Sequence, residues 1–217
     1  MELTVAEENY LKAIYHLSDG GKKSVSTNDI AAEIKTKAAS VSDMLRKLGE
    51  KEVIEYRKYY GLQITESGKR YALQTIRKHR LWEVFLVEKL NFAWDEVHEV
   101  AEQLEHIQSP LLIQRLDAYL NFPKFDPHGD PIPNEKGVIQ KVNKLLLSEA
   151  ELNREYYCIG VKDSSSEFLK YLDKQKIALG STFKVIEKES FDDTLTVEVN
   201  SQEKIISNKI ANNLYVQ

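Results

Sequence analysis

Apolar residues recur at three- and four-residue spacing through the first two thirds of the chain and pass to alternation in the last third. ENYLKAIYHL sets Tyr10, Leu11, Ile14, Tyr15 and Leu17 at helical spacing, and Gly20-Gly21 ends the run. TNDIAAEI follows, with Thr27 as its expected cap and Ile30, Ala31 and Ile34 as its buried face. After a break at KTK, AASVSDMLRKLGEK repeats Val41, Met44, Leu45 and Leu48 at i, i+3, i+4 and i+7. VIEYRKYYGLQIT changes period and reads as a β-hairpin turning at Tyr59-Tyr60-Gly61. Helix, helix, turn, helix, hairpin is the order of a winged helix-turn-helix, whose post-turn helix enters the major groove while the hairpin lies along the backbone.

ESGKRYALQTIRKHRLWEVFLVEKL predicts one long helix, apolar around much of its circumference after Leu81 and therefore buried on more than one side. HEVAEQLEHI and SPLLIQRLDAYLN add helices to a middle section whose apolar surplus predicts a homodimer core. NFPKFDPHGDPIPNEKG is loop, rich in Pro, Gly, Asp and Asn. From about residue 145, REYYCIGVKD, KIALGSTFKVIEKES, DTLTVEVN and EKIISNKIANNLYV read as strands around a short helix at SEFLKYLDKQ, which predicts a five-stranded SH3-like barrel. The expected fold is mainly α with small β parts: a winged helix-turn-helix at 1–73, a helical dimerisation domain at 74–143, and an SH3-like domain at 144–217.

Charge and composition narrow the chemistry. The net charge of −4 is uneven: residues 1–73 carry 12 basic and 11 acidic side chains, 74–143 carry 8 and 11, and 144–217 carry 10 and 12. Only the first third is not acidic, and it is the third with the helix-turn-helix pattern. The exposed face of KTKAASVSDMLRKLGEK offers Lys37, Ala39, Ser40, Ser42, Asp43 and Lys47, with Thr27 beside it and Arg57 and Lys58 on the wing. Hydroxyls reach phosphates or base edges, alanine a thymine methyl, and lysines the phosphates, so double-stranded DNA is the expected partner. Cys158 is the only cysteine, which excludes an intrachain disulfide and a thiolate-rich zinc site. No apolar run is long enough to cross a bilayer and MELTVAEENY lacks signal-peptide character, so the expected location is the cytoplasm.

The stretch HEVAEQLEH is dense in donors. At 100° per residue, His98, Glu102, Glu105 and His106 share an arc of about 100° of one helical face, while Glu99 points aside. Such a face is either a solvated acidic surface or a set of nitrogen and oxygen donors for a divalent first-row ion. Enzyme readings lack their parts. HEVAE has no second histidine for HExxH, no second Glu-x-x-His helix is present for a di-iron bundle, and no Gly-rich phosphate loop or nucleophile elbow appears.

Taken together, the winged helix, RKHRL with His79 and Glu83, VHEVAEQLEHIQS and FPKFDPHGDPIP resemble the diphtheria-toxin-repressor family of metal-dependent transcription regulators, in particular its manganese-responsive branch with a C-terminal SH3-like domain. The resemblance covers essentially the whole chain. It implies a first metal site at Glu102, Glu105 and His106 with Asn9 from the first helix, or, with a slip of register, Glu7 or Glu8 in its place. It implies a second at His79, Glu83 and His98 with Asp126, His128 and Asp163. It further implies a repressor of metal-uptake genes that senses Mn(II), with Fe(II) as the alternative, and that binds pseudo-palindromic operators as a homodimer. Glu102 stands where iron-responsive relatives carry a soft cysteine, which by hardness favours Mn(II). Asn9 stands where relatives carry Asp or Met, and Asp126 where some carry Cys. A metal-independent winged-helix regulator is the remaining rival.

Overall fold

The structure is a computed structural model that describes residues 2–57 and 61–217, the side chain of Arg57 excepted. Lys58 and the Tyr59-Tyr60 part of the expected turn lie outside the described residues. The chain forms two compact units, one of residues 1–80, 102–113 and 133–139, the other of residues 81–101, 114–132 and 140–217. No helix among the described residues is long and apolar enough to cross a membrane.

The first unit opens with three helices: α1 (Val5–Leu17), α2 (Thr27–Glu33) and α3 (Ala38–Glu50). Thr4 and Glu7 close a capping box on α1, in which Thr4 Oγ1 accepts from Glu7 N and Glu7 Oε2 accepts from Thr4 N. On α2 the cap is Ser26, boxed with Asp29; Thr27 is the first helical residue, not the cap expected for it. Serine at that point has the extended backbone a cap requires, and Asp29 sits three residues on. Leu11, Ile14, Ile30, Val41 and Leu48 are fully buried in one core, with Met44 and Leu45 packed at its edge. That core also takes Ile54, Leu62 and Ile64 from the antiparallel hairpin β1 (Ile54–Arg57) and β2 (Gly61–Ile64), registered Ile54 to Ile64. The winged order read from the pattern is the order observed.

Helix α4 (Glu66–Leu90) runs unbroken through 25 residues and enters both units. Thr65 Oγ1 accepts from Gly68 N at its start, and a Cβ at Gly68 would lie 2.0 Å from the Val53 carbonyl oxygen, so only glycine fits there. Leu81, Trp82, Glu83 and Val84 are consecutively buried, as a helix covered on all sides must be. Helix α5 spans Val97–Leu104 and α6 spans Pro110–Tyr119.

The C-terminal part of the second unit contains α7 (Ser166–Lys174), α8 (Asn208–Ala211) and six strands: β3 (Leu145–Leu146), β4 (Glu155–Val161), β5 (Thr182–Lys188), β6 (Leu195–Val199), β7 (Gln202–Ile206) and β8 (Leu214–Val216). They form one antiparallel sheet in the order β3-β8-β4-β5-β6-β7. This corrects the five-stranded barrel: there are six strands and the sheet is open. Closure needs the two edge strands to pair, and the β3 edge offers only two residues to do so. EKIISNKIANNLYV, expected as strand, is strand, a short helix capped by Ser207, and strand. Leu147, Leu169, Leu172, Phe183, Val185, Val197 and Leu214 centre the core of this part.

Candidate metal centres and nucleic-acid face

The donor-rich segment is not one helical face. Helix α5 ends at Leu104, and Glu105 and His106 lie in the turn that follows it. The sequence sets an outer bound on α5. Pro110 is the first residue of α6, and Ser109 Oγ caps that helix by accepting from Leu112 N. A residue before proline is driven out of the helical region, so the chain must leave α5 before it reaches Ser109. His98 and Glu102 remain on α5 and are exposed, whereas the turn carries Glu105 inward to complete burial.

In the first unit a cluster forms around Glu105 and His106. Glu105 Oε2 lies 2.6 Å from His79 Nδ1 and its Oε1 accepts from Lys12 Nζ at 2.6 Å. Lys12 Nζ also reaches Glu102 Oε1 at 3.3 Å. His106 Nδ1 lies 2.6 Å from Glu8 Oε2, while Glu8 Oε1 accepts from Gln108 Nε2 at 2.8 Å and faces Lys78 Nζ at 3.6 Å. Burial works to raise the Glu105 pKa, but the His79 hydrogen bond and the Lys12 ammonium outweigh it and hold the carboxyl below its ordinary range. The expected residues Glu102, Glu105 and His106 are thus brought together. From α1 it is Glu8, not Asn9, whose carboxylate meets His106; Asn9 is half-buried on the same helix. His79, expected in the second site, has its Nδ1 on Glu105.

The donors suit a hard or borderline divalent ion. Three carboxylates and two imidazoles are linked by short contacts with no sulfur among them, and their negative charge is partly balanced in this state by the ammonium groups of Lys12 and Lys78. A cluster that already recruits cations fits a cation.

A second cluster lies in the second unit. Single ligand atoms of Glu83, Asp126 and His128 all come within 4.8 Å of one another, and all three residues are buried. His128 Nδ1 is 3.7 Å from Glu83 Oε2 and its Nε2 is 2.8 Å from the Trp94 carbonyl oxygen. Asp126 Oδ1 accepts from His128 N and Asp130 N, which fixes the loop. Gly129, at φ 86°, lies against β4: a Cβ would sit 2.0 Å from the Ile159 carbonyl oxygen, and Val161 N donates to the His128 carbonyl at 2.9 Å. Burial opposes the charged form of His128, but Glu83 and Asp126 with the Trp94 carbonyl raise its pKa overall. His98 Nδ1 lies 3.8 Å from Glu83 Oε1. Asp163 is in the loop between β4 and α7, where its Oδ1 accepts from Ser165 N. The three buried groups Glu83, Asp126 and His128 are oxygen and nitrogen donors at ligand spacing and also fit a divalent ion.

On α3, Ala39, Ser40, Ser42, Asp43 and Lys47 are exposed, as is Lys37 at its N-cap; Thr27 is half-buried on α2. Ser42 Oγ donates to the Ala38 carbonyl at 3.1 Å. Arg46, absent from the expected set, is exposed beside Lys47 and lies 3.7 Å from Glu50. Three partners in the first cluster were also not expected, Lys12, Lys78 and Gln108, whereas Glu8 is one of the two neighbouring carboxylates open as alternatives to Asn9. The Glu8-Lys12 spacing of four residues on one helix carried that signal, since it places both side chains on one face of α1.

Comparisons with known proteins give the same frame. Residues 2–62 match the iron dependent repressor N-terminal DNA binding domain, residues 65–134 the iron dependent repressor metal binding and dimerisation domain, and residues 145–217 the FeoA domain. The iron-dependent repressor IdeR of Mycobacterium tuberculosis (strain ATCC 25618 / H37Rv) is 33% identical over 132 residues, 61% of this chain and 57% of that protein. The chain therefore matches little more than half the length of this curated relative. A solved manganese-dependent transcriptional repressor in complex with manganese is 33% identical with a TM-score of 0.85, over 97% of this chain and 98% of that one. The manganese regulator SloR is 32% identical with a TM-score of 0.76, over 97% of each chain. With a full-length match at that identity and both repressor domains in place, the chain belongs to the iron-dependent repressor family, the family of the diphtheria toxin repressor, whose members are transcriptional repressors and not enzymes.

Proposed function

We propose that this chain is a cytoplasmic repressor that senses Mn(II), binds pseudo-palindromic operator DNA as a homodimer, and shuts off metal-uptake genes. The observation that carries the reading is the pairing of α1 with the segment 102–108: Glu8 with His106 and Gln108, and Lys12 with Glu102 and Glu105. Helix α1 belongs to the winged-helix core, so whatever holds Glu8 and Lys12 also sets the DNA-binding helices. The first site is Glu102, Glu105 and His106 with α1 donors at Glu8 or Asn9; the second is Glu83, Asp126 and His128, with His79, His98 and Asp163 as its further expected members. A divalent ion at the first site supplies two positive charges shared between α1 and the segment 102–106. Its differential affinity for the conformer with both winged helices set for successive major grooves is the coupling free energy.

The division into 1–73, 74–143 and 144–217 goes with this reading, and the exposed Leu111, Leu112 and Tyr119 on α6 support a dimer surface in the middle domain. Mn(II) is favoured by the sulfur-free donors and by the manganese named for two structural relatives. Fe(II) is the second reading, favoured by the iron named for the matched repressor domains.

Selection from a random-sequence duplex library in the presence of Mn(II) is expected to recover two-fold pseudo-palindromes. On the recovered duplex, chelator is expected to release the chain and Mn(II) to restore it, with Fe(II) under anaerobic conditions and Zn(II) as comparisons. Equal affinity with and without metal rejects the sensor and leaves a metal-independent winged-helix regulator.

A further inference from the structure

The tautomer of His128 is fixed by a group outside its own loop. A carbonyl oxygen only accepts, so the 2.8 Å contact with the Trp94 carbonyl puts a proton on His128 Nε2. In the neutral imidazole the lone pair is then on Nδ1, the nitrogen that faces Glu83 Oε2. The Trp94 ring lies nearly parallel to the imidazole, at 16° with centroids 6.3 Å apart.

Trp94 is itself held by α7. Its Nε1 donates to the Asp173 carboxylate, with oxygens at 3.1 and 3.2 Å. The next residue, Asp95, has a buried carboxylate that accepts from Ser166 Oγ at 3.1 Å and pairs with Lys170 Nζ at 3.3 Å. Two consecutive residues of the α4–α5 connection are therefore bonded to one helix. Leu169 and Leu172 anchor that helix in the C-terminal core, against which Trp94 also packs. Nothing in this chain of contacts is a metal donor, yet it decides where the Trp94 carbonyl stands.

We propose that Trp94 is a positioning residue for the Glu83-Asp126-His128 site. Its carbonyl keeps Nδ1 of His128 available to a divalent ion, and Asp173 on α7 keeps that carbonyl in place. The C-terminal domain thus controls the affinity of the site through a hydrogen bond to an indole, independently of any ligand it contributes. The proposal rests on the reading of Glu83, Asp126 and His128 as metal ligands.

Asp173 is exposed, so its substitution leaves the core intact. Mn(II) titration of the full chain by electron paramagnetic resonance, on a Glu102→Gln, Glu105→Gln background to isolate the second site, is to be paired with ¹⁵N spectra of the metal-free His128 ring. Asp173→Ala releases the indole and with it the Trp94 carbonyl, and is expected to weaken Mn(II) binding about tenfold, the low end for loss of the outer hydrogen bond that this carbonyl accepts from His128. At alkaline pH, where the metal-free ring is neutral, it is expected to pass from the Nε2–H tautomer to a mixture. Asp173→Asn retains an acceptor oxygen and is expected to rescue both. If Asp173→Ala changes neither affinity nor tautomer, the positioning role is overturned while the metal site stands. If Glu83→Gln leaves Mn(II) binding unaltered, the ligand reading fails and the proposal with it.

Discussion

Glu8 Oε2 lies 2.6 Å from His106 Nδ1, joining residues 98 apart in the sequence. The contact makes Glu8 the α1 carboxylate best placed to share an ion with His106. Glu8→Gln is expected to weaken Mn(II) binding and abolish the response of DNA affinity to metal, because the neutral amide offers the ion no charge. Asn9→Ala is expected to leave both nearly unchanged, and Asn9→Asp to tighten binding only modestly. Calorimetric metal titration and duplex binding on the three variants check this; loss of the response in Asn9→Ala with retention in Glu8→Gln returns the tether to Asn9.

Lys12 occupies the role of a cation in the first cluster. Its ammonium contacts the fully buried Glu105, and His79 is the carboxylate's other strong partner. Lys12→Met leaves buried charge less well compensated and is expected to lower the stability of the metal-free chain by about 3 kcal/mol. The same substitution removes a competitor for the carboxylates, so Mn(II) is expected to bind more tightly and to restore stability by mass action. Denaturant unfolding in chelator and in Mn(II) measures both halves. An unchanged metal-free midpoint rejects the role.

The two clusters give the metal-free chain opposite pH limbs. Burial alone would raise the Glu105 pKa, but His79 and Lys12 leave it lowered from 4.5, so its stabilisation is present above 4.5 and is lost as pH falls through the lower folded value. For His128 burial alone would lower the pKa, but Glu83, Asp126 and the Trp94 carbonyl leave it raised from 6.5; its stabilisation is complete below 6.5 and is lost as pH rises through the higher folded value. Unfolding in chelator across pH 4 to 9 is expected to show greatest stability between these ordinary values, and His128→Gln is expected to flatten the alkaline limb. An alkaline limb of the same size in that variant assigns it elsewhere.

How much of the molecule is legible in its sequence depends on what each pattern encodes. The spacing of Leu11, Ile14, Val41 and Leu48 reports burial directly, so the winged helix can be read from periodicity alone. Helical phase across 98–106 cannot, because the angle argument assumes an unbroken helix and α5 ends at Leu104. Asn9 and Glu8 are neighbours in sequence but differ by about 100° around α1, and only the partner at His106 selects between them. Lys12 and Lys78 have the sequence surroundings of ordinary solvated lysines; their meaning comes from carboxylates brought to them by the fold. The two-residue β3 falls below the length at which alternation is detectable, which is why five strands were expected and six are found.

Cys158 is buried in the C-terminal core, and that burial pushes its thiol up to about 11. The thiolate is the reactive form, so at pH 8 the folded chain is expected to react with iodoacetamide far more slowly than the chain in denaturant. Rapid alkylation of the native chain would mean that β4 opens readily. Mn(II) is expected to leave the thiol's rate in the folded chain unchanged, since no donor of either cluster is sulfur.

Lys47 is exposed on α3 on the face that carries Ala39, Ser40 and Asp43, and no base-reading geometry is needed for an ammonium at that place to matter. If it neutralises one phosphate, Lys47→Gln removes one counterion release, so the slope of log affinity against log salt is expected to fall by about 0.9 and all duplexes to weaken alike. Ala39 and Ser40 lie nearer the start of the helix, where small side chains permit close approach to base edges, so Ser40→Ala is expected to change the preferred sequence while keeping the slope. Arg46 supplies the control for charge alone: it is exposed on the next position but 3.7 Å from Glu50, and Arg46→Gln is expected to change the slope less than Lys47→Gln does. Binding measured over a salt series on the selected duplex and on a scrambled one separates these effects. A Lys47→Gln variant that keeps the full slope but alters base preference would move Lys47 from the backbone to the bases.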